Sequence, residues 1–181
     1  MDRDGVLNHL VEHDGVLVAP RTFSEFRLCD GVVQAVRRLK NSGIVVGVAT
    51  NQPEIARGRL PPRELERMTG ALRRETSVDE VRVCPHQDGD GCACRKPQPG
   101  MLLDLMRSCS ADSATSVMVG DTWKDIEAGK RAQCATILVS DGSGDTEGAD
   151  AVVRSLSEAV DLILQGFLEA KSSARPLSVP K

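Results

Sequence analysis

Ile44-Val45-Val46-Gly47-Val48-Ala49-Thr50-Asn51-Gln52 is the stretch on which the fold turns. Its first six residues are apolar without alternation, the pattern of a strand buried on both faces, and such strands belong to parallel sheets covered by helices. Three hydrogen-bonding side chains follow at once, at the carboxyl end of the strand, where open parallel sheets hold their ligands.

The same alternation of strand and helix extends outward in both directions. Upstream, Val32, Val33, Val36 and Leu39 make one helical stripe, with Asp30 as its expected cap and Asn41-Ser42-Gly43 as its stop. Downstream, Pro61-Pro62 open a helix bearing Leu65, Met68 and Leu72, and Val81 to Val83 form a short strand. A helix with Met101, Leu102, Leu105 and Met106 comes next, then a strand from Ser116 to Val119, a helix near Lys124 to Ala132 and a strand from Ala135 to Val139. A brief apolar run at Ala151 to Val153 and a helix from Leu156 to Leu168 complete the pattern. The expected architecture is an open, Rossmann-like parallel α/β sheet in one domain over residues 1–168. Residues 169–181 lose the apolar period and gather Ser, Pro and Lys, so a disordered tail is expected there.

Composition bounds the rest. A length of 181 residues suffices for a single sizeable core. With one Trp, no Tyr and three Phe, that core has to be built from Val, Leu, Ile, Ala and Met. A formal net charge of -3 offers no electrostatic case for binding nucleic acid or an anionic membrane surface. No apolar run approaches the roughly 20 residues that span a bilayer. Residue 2 is charged and no apolar segment follows it, so no secretory leader is expected, and a cytoplasmic, monomeric protein is.

Cysteines make the next signal. Cys84-Pro85-His86 and Cys92-Ala93-Cys94 bracket a short polar loop, and together offer three thiols and one imidazole, the composition of a closed structural zinc site. Each pair leaves one residue between ligands, tighter than a zinc finger but suited to two arms pinching a loop. Disulfides are the alternative for the same thiols, and a reducing compartment favours metal. Cys29, Cys109 and Cys134 stand apart and read as inert, partly buried thiols. Arg95-Lys96 follows the last ligand directly, two cations of the kind that seek phosphate.

Chemistry-bearing residues recur at successive strand ends. The chain begins Met1-Asp2-Arg3-Asp4-Gly5-Val6-Leu7-Asn8, one strand delivers Thr50-Asn51-Gln52, the cysteine loop delivers Arg95-Lys96, and another strand delivers Gly120-Asp121 with Asp125 beyond it. Each is ordinary alone, but their order resembles the four signature motifs of the haloacid dehalogenase superfamily. The resemblance is to its small, capless sugar-phosphate phosphatases, with the heptose-bisphosphate group nearest and the histidinol-phosphate group next. Ile55-Ala56-Arg57-Gly58 and Lys96-Pro97-Gln98-Pro99-Gly100-Met101 carry the preference for the first group.

The resemblance implies a phosphomonoesterase that works through an aspartyl-phosphate on Asp2, with Asp4 as general acid and base. Asp2, the backbone carbonyl of Asp4, and Asp121 would be magnesium ligands, with Asp125 either supporting them or capping the next helix. Thr50 and Asn51 would donate to the transferring phosphoryl group, Lys96 would offset its charge, and Arg95 and Arg57 would contact the substrate, a small phosphorylated sugar. A solvated surface role is the alternative for Arg95. Zinc on Cys84, His86, Cys92 and Cys94 would hold Arg95 and Lys96 in place. Glu54, Arg57 and Trp123 are candidates for the rim of the pocket, with a surface or packing role as the equal alternative for each, His9 and His13 are expected in loops, and the stretch from Glu12 to Phe26 is long enough to cover a substrate.

Three features depart from the family pattern. Pro53-Glu54 stands where small residues are usual, and Thr122 where a lysine is common, with Lys124 near enough to substitute. The superfamily's nucleophile ends a buried central strand, and here only Met1 precedes Asp2. Either the true start lies upstream, which is the expectation, or the sheet lacks its central strand. In the second case a non-catalytic, zinc-stabilised binding protein becomes the alternative function.

Overall fold

The computed structural model describes residues 1–142 and 148–168. The expected tail at 169–181 lies outside them.

The elements run β1 (Val11–His13), β2 (Val16–Val18), α1 (Val32–Asn41), β3 (Gly47–Asn51), α2 (Pro62–Thr76), β4 (Glu80–Cys84), α3 (Gly100–Cys109), β5 (Val117–Gly120), α4 (Trp123–Arg131), β6 (Ala135–Val139), β7 (Ala151–Val153) and α5 (Leu156–Leu164). β3 pairs with β4, β5 with β6, and β6 with β7, all in parallel. One helical layer of α1, α2 and α5 packs on Val48, Val119 and Ile137. The opposite layer of α3 and α4 packs on Ala49 and Met118. Adjacent strand residues face opposite layers, as the period of two demands. None of the described helices is long and apolar enough to cross a membrane.

Two boundaries moved. β3 begins three residues later than the apolar run, because its partner β4 begins at Glu80, opposite Gly47. Thr50 and Asn51 are therefore strand residues, and Asn51 faces Cys84 across the pair. This register brings the cysteine loop beside the strand end. The expected Asp30 cap is corrected: α1 is capped by Gly31 at φ 77, with no side-chain cap bond. The hairpin β1–β2 was also not foreseen. Its turn is Asp14-Gly15, both at positive φ, the standard signal for a two-residue hairpin, but with strands only three residues long.

Among the described residues no strand lies between β3 and β5. Met1 and Asp2 occupy that place: Met1 N donates to Gly47 O at 2.8 Å, Ala49 N to Met1 O at 3.0 Å, and Asp2 N to Val119 O at 2.8 Å. Two residues thus stitch two half-sheets along a seam. Beneath them lies an apolar slot of about 350 Å³ lined by Met1, Val46, Leu105, Val117, Met118 and Ile163.

Candidate active site

Asp2 stands at the top of the seam. Its Oδ1 accepts from Arg3 N at 2.7 Å and pairs with Lys96 Nζ at 2.6 Å. Lys96 is 2% exposed and reaches Asp125 Oδ1 at 2.5 Å with the same ammonium, so it crosses from one half-sheet to the other. Asn51 fixes where Lys96 starts: its amide donates to Lys96 O at 3.0 Å and its carbonyl accepts from Lys96 N at 3.1 Å. Burial works against the charge on Lys96, but Asp2 and Asp125 together hold its pKa above the usual lysine value.

Asp125 is fully buried and caps α4, one of the two roles weighed for it. One oxygen meets Lys96, and the other accepts from Thr122 N at 3.1 Å and Thr122 Oγ1 at 2.6 Å, closing a capping box at the start of α4. A Cβ at residue 120 would lie 2.1 Å from Asp125 Cβ, so only glycine lets Asp125 pack there.

Asp121 completes the cluster. Ligand atoms of Asp2, Asp121 and Asp125 lie within 4.8 Å of one another. Asp121 rests against Gly5, where a Cβ would sit 2.0 Å from Asp121 Oδ2 and the backbone φ is +88°. Burial, and then the charge of Asp125, push Asp121 up to about 6. The same two causes push Asp2 up to about 7 against the pull of Lys96. Three carboxylates with one ammonium are short of positive charge, and Asp121 Oδ1 is buried with no hydrogen-bond partner. A hard, oxygen-seeking dication fits these donors.

Asp4 is held differently. Burial alone would raise its pKa, but Arg3 binds it through Nε and Nη2, the latter at 2.8 Å, and Asn8 Nδ2, Thr50 Oγ1 and Gln52 Nε2 donate at 3.1, 3.0 and 2.7 Å. These bonds pull it below the ordinary carboxylate value. Asp4 in this arrangement is a carboxylate, so the expected role of acid requires it to leave Arg3. Thr50 and Asn51, expected as phosphoryl donors, have protein partners here, though both line the site cavity. Sequence reasoning missed the buried Arg3 and Gln52, since a charged residue between two acids reads as a solvated one.

The cysteine loop is compact. Sγ–Sγ separations among Cys84, Cys92 and Cys94 are 3.1 to 3.7 Å, and His86 Nδ1 lies 3.5 Å from Cys84 Sγ and 3.3 Å from Cys94 Sγ. Thiolates on one tetrahedral zinc, with Zn–S bonds of about 2.3 Å, stand about 3.8 Å apart, so the set fits that ion with modest expansion. Burial and the neighbouring Cys94 push the Cys84 thiol up to about 12, a thiol that ionises only beside a cation. Arg95 is tied to the same loop, with Nε donating to Asp88 at 2.8 Å and Nη1 to His86 O at 3.1 Å. It is buried, not solvated.

A cavity of about 290 Å³ joins these parts, lined by Asp2, Asp4, Thr50, Asn51, Arg95 and Lys96 together with Glu54 and Arg57. Val18, which ends β2, and Ala19 just after it form part of its wall, and Lys124 lines it too. Trp123 does not; it is exposed. His13 ends β1 and pairs with Glu25 at 3.3 Å.

Residues 93–170 match the family described as HAD-hydrolase-like. The chain is 38% identical over 149 residues to the D-glycero-beta-D-manno-heptose-1,7-bisphosphate 7-phosphatase of Bordetella bronchiseptica, covering 80% of each chain. It is 35% identical over 179 residues to the enzyme of the same name from Pasteurella multocida, covering 90% of this chain and 94% of that one. The crystal structure of the Bordetella D,D-heptose 1,7-bisphosphate phosphatase, complexed with magnesium and phosphate, superposes with a TM-score of 0.76 at 36% identity, over 91% of this chain and 96% of that one. A HAD-like phosphatase from Mesorhizobium loti gives 0.72 at 32% identity, over 93% and 84%. With its carboxylates, lysine and cysteine loop on a parallel sheet of this kind, the chain belongs to the HAD-like hydrolases, in the family of the heptose-bisphosphate phosphatases.

Proposed function

We propose that this protein is a magnesium-dependent phosphomonoesterase that removes the 7-phosphate of D-glycero-D-manno-heptose 1,7-bisphosphate. The observation that carries the reading is the Asp2–Lys96–Asp125 ion triad beside the orphaned oxygen of Asp121.

Magnesium, held by Asp2, Asp121 and the backbone carbonyl of Asp4, would supply charge neutralisation between the nucleophile and the phosphate. Asp2, already fixed by Arg3 N and Lys96, presents a carboxylate oxygen to phosphorus. The bond from phosphorus to the sugar oxygen breaks as the bond to Asp2 forms, giving an acyl phosphate and splitting one slow step into two. Lys96 compensates the charge shared by Asp2 and the phosphoryl oxygens. Thr50 and Asn51 line the cavity where those oxygens pass. Asp4, once freed from Arg3 and protonated from solvent, gives that proton to the leaving oxygen and then takes one from the water that attacks the acyl phosphate, releasing inorganic phosphate. Arg95 and Arg57 bind the rest of the substrate. Zinc on the four-ligand cysteine loop is structural, since no coordination position is left open. The enzyme acts in the cytoplasm, a reading supported by six cysteines with no disulfide among them.

Phosphate release from the heptose bisphosphate, a panel of sugar phosphates and histidinol phosphate tests this, with magnesium added and then chelated. Asp2→Asn should abolish release. No release from any substrate, or release that survives Asp2→Asn, overturns the reading.

A further inference from the structure

Glu54 lines the cavity and is 8% exposed. Three arginines converge on it: Arg57 Nη1 on Oε1 at 2.6 Å, Arg21 Nε on Oε2 at 3.2 Å, and Arg59 Nη1 on Oε2 at 3.6 Å. Arg21 comes from the segment after the hairpin, and the other two from the loop after β3. One carboxylate among three guanidinium groups leaves two positive charges uncompensated, which is the charge of a phosphate monoester dianion. Arg57 lines the cavity, and its fork is only partly used, by Glu54 and by Gln87 Oε1 at 3.3 Å. Bracing the loop would take only one of these arginines, so the excess needs another explanation.

We propose that this cage reads a second phosphate on the substrate, with Glu54 standing in for that phosphate until it arrives. Arg57 is the contacting residue. Arg21 and Arg59 are positioning residues that keep Glu54 neutralised when Arg57 turns from it to the incoming anion. Glu54 thereby acts as an internal competitor that weakens binding of the doubly phosphorylated ligand. The inference rests on the phosphatase reading for its place in the reaction, but it can be measured without turnover.

The test is calorimetric affinity of the Asp2→Asn protein for fructose 1,6-bisphosphate and fructose 6-phosphate as probes, read as the ratio of the two. The bisphosphate should bind more tightly in the parent. Adding Arg57→Gln should cut that preference roughly tenfold or more, as expected for loss of a charge-assisted bond, with Arg57→Lys between. Adding Glu54→Gln should raise bisphosphate affinity and enlarge the preference. The cage is refuted if the parent shows no preference or binds neither probe, if Arg57→Gln weakens both ligands equally, or if Glu54→Gln weakens the bisphosphate as a lost brace would. Absence of phosphate release by the unaltered protein would sink the phosphatase reading alone.

Discussion

Lys96 keeps its charge where water cannot reach it, and two acids from different segments make that possible. Removing one partner of a buried ion group leaves the others uncompensated, at a cost of about 3–5 kcal/mol. Lys96→Met should therefore lower the unfolding free energy measured by urea titration by that amount and cut phosphate release by at least about a hundredfold. Adding Asp125→Asn should recover part of the stability and none of the activity; full recovery of both would show that the triad does not act as a unit. Asp79 offers a milder check. Burial opposes its charge, but Lys40 and the Val46 amide, at 2.7 Å, depress its pKa. A depressed pKa stabilises the fold above the unfolded value near pH 4 and stops doing so as pH falls through the folded value. Because Asp79 is substantially exposed, the contribution is under about 1 kcal/mol, and Asp79→Asn should flatten the fall in stability below pH 4 seen by chemical denaturation. At this scale the grouping of the carboxylates with Lys96, and of the four soft side chains in the cysteine loop, was legible because their types and spacing are chemically narrow. The burial of Arg3 and Glu54 was not, because it is set by tertiary packing even though Asp4 and Arg57, their ion partners, are near in sequence.

The loop between β4 and α3 shows what an element adds. Asn51 pairs with Cys84 in register, so the first soft ligand and the bracket around Lys96 share one rung of the sheet. Loss of zinc should loosen the loop that carries Arg95. With a zinc-selective chelator, cleavage by trypsin at Arg95 should speed up and phosphate release should fall even with excess magnesium. Unchanged cleavage and full turnover in zinc-free protein would show that the loop holds its shape unaided. Element types were readable from apolar spacing throughout, since a buried parallel strand has no polar face to confuse it. The boundaries were not, as β3 shows: apolarity marks what is buried, while pairing with β4 decides where a strand begins.

For the molecule as a whole, the seam between β3 and β5 is the decisive feature. Met1 and Asp2 bond to both half-sheets, and the apolar slot beneath them lies between two strand edges. Three β-branched residues placed ahead of Met1 should extend both ladders, the Met1 nitrogen keeping its bond to Gly47 as an amide. The thermal midpoint should rise by about 4 °C or more, and a Gly-Ser-Gly extension should not raise it. Equal effects of the two would mean that the slot does not accept a strand. The sheet was legible from sequence as a series of strands. How the two halves are joined was not, because backbone bonds across a seam leave no mark on side-chain pattern.

Asp2 sits in that seam as a keystone sits in an arch. It holds the two sides apart and together, while Lys96 spans from one side to the other. Mechanical integrity and chemical competence consequently share the same few atoms. A truncating substitution at Asp2 would lose activity whether or not the residue attacks phosphorus, simply by letting the arch settle. Only a replacement of equal shape, such as asparagine, can tell a missing nucleophile from a missing stone.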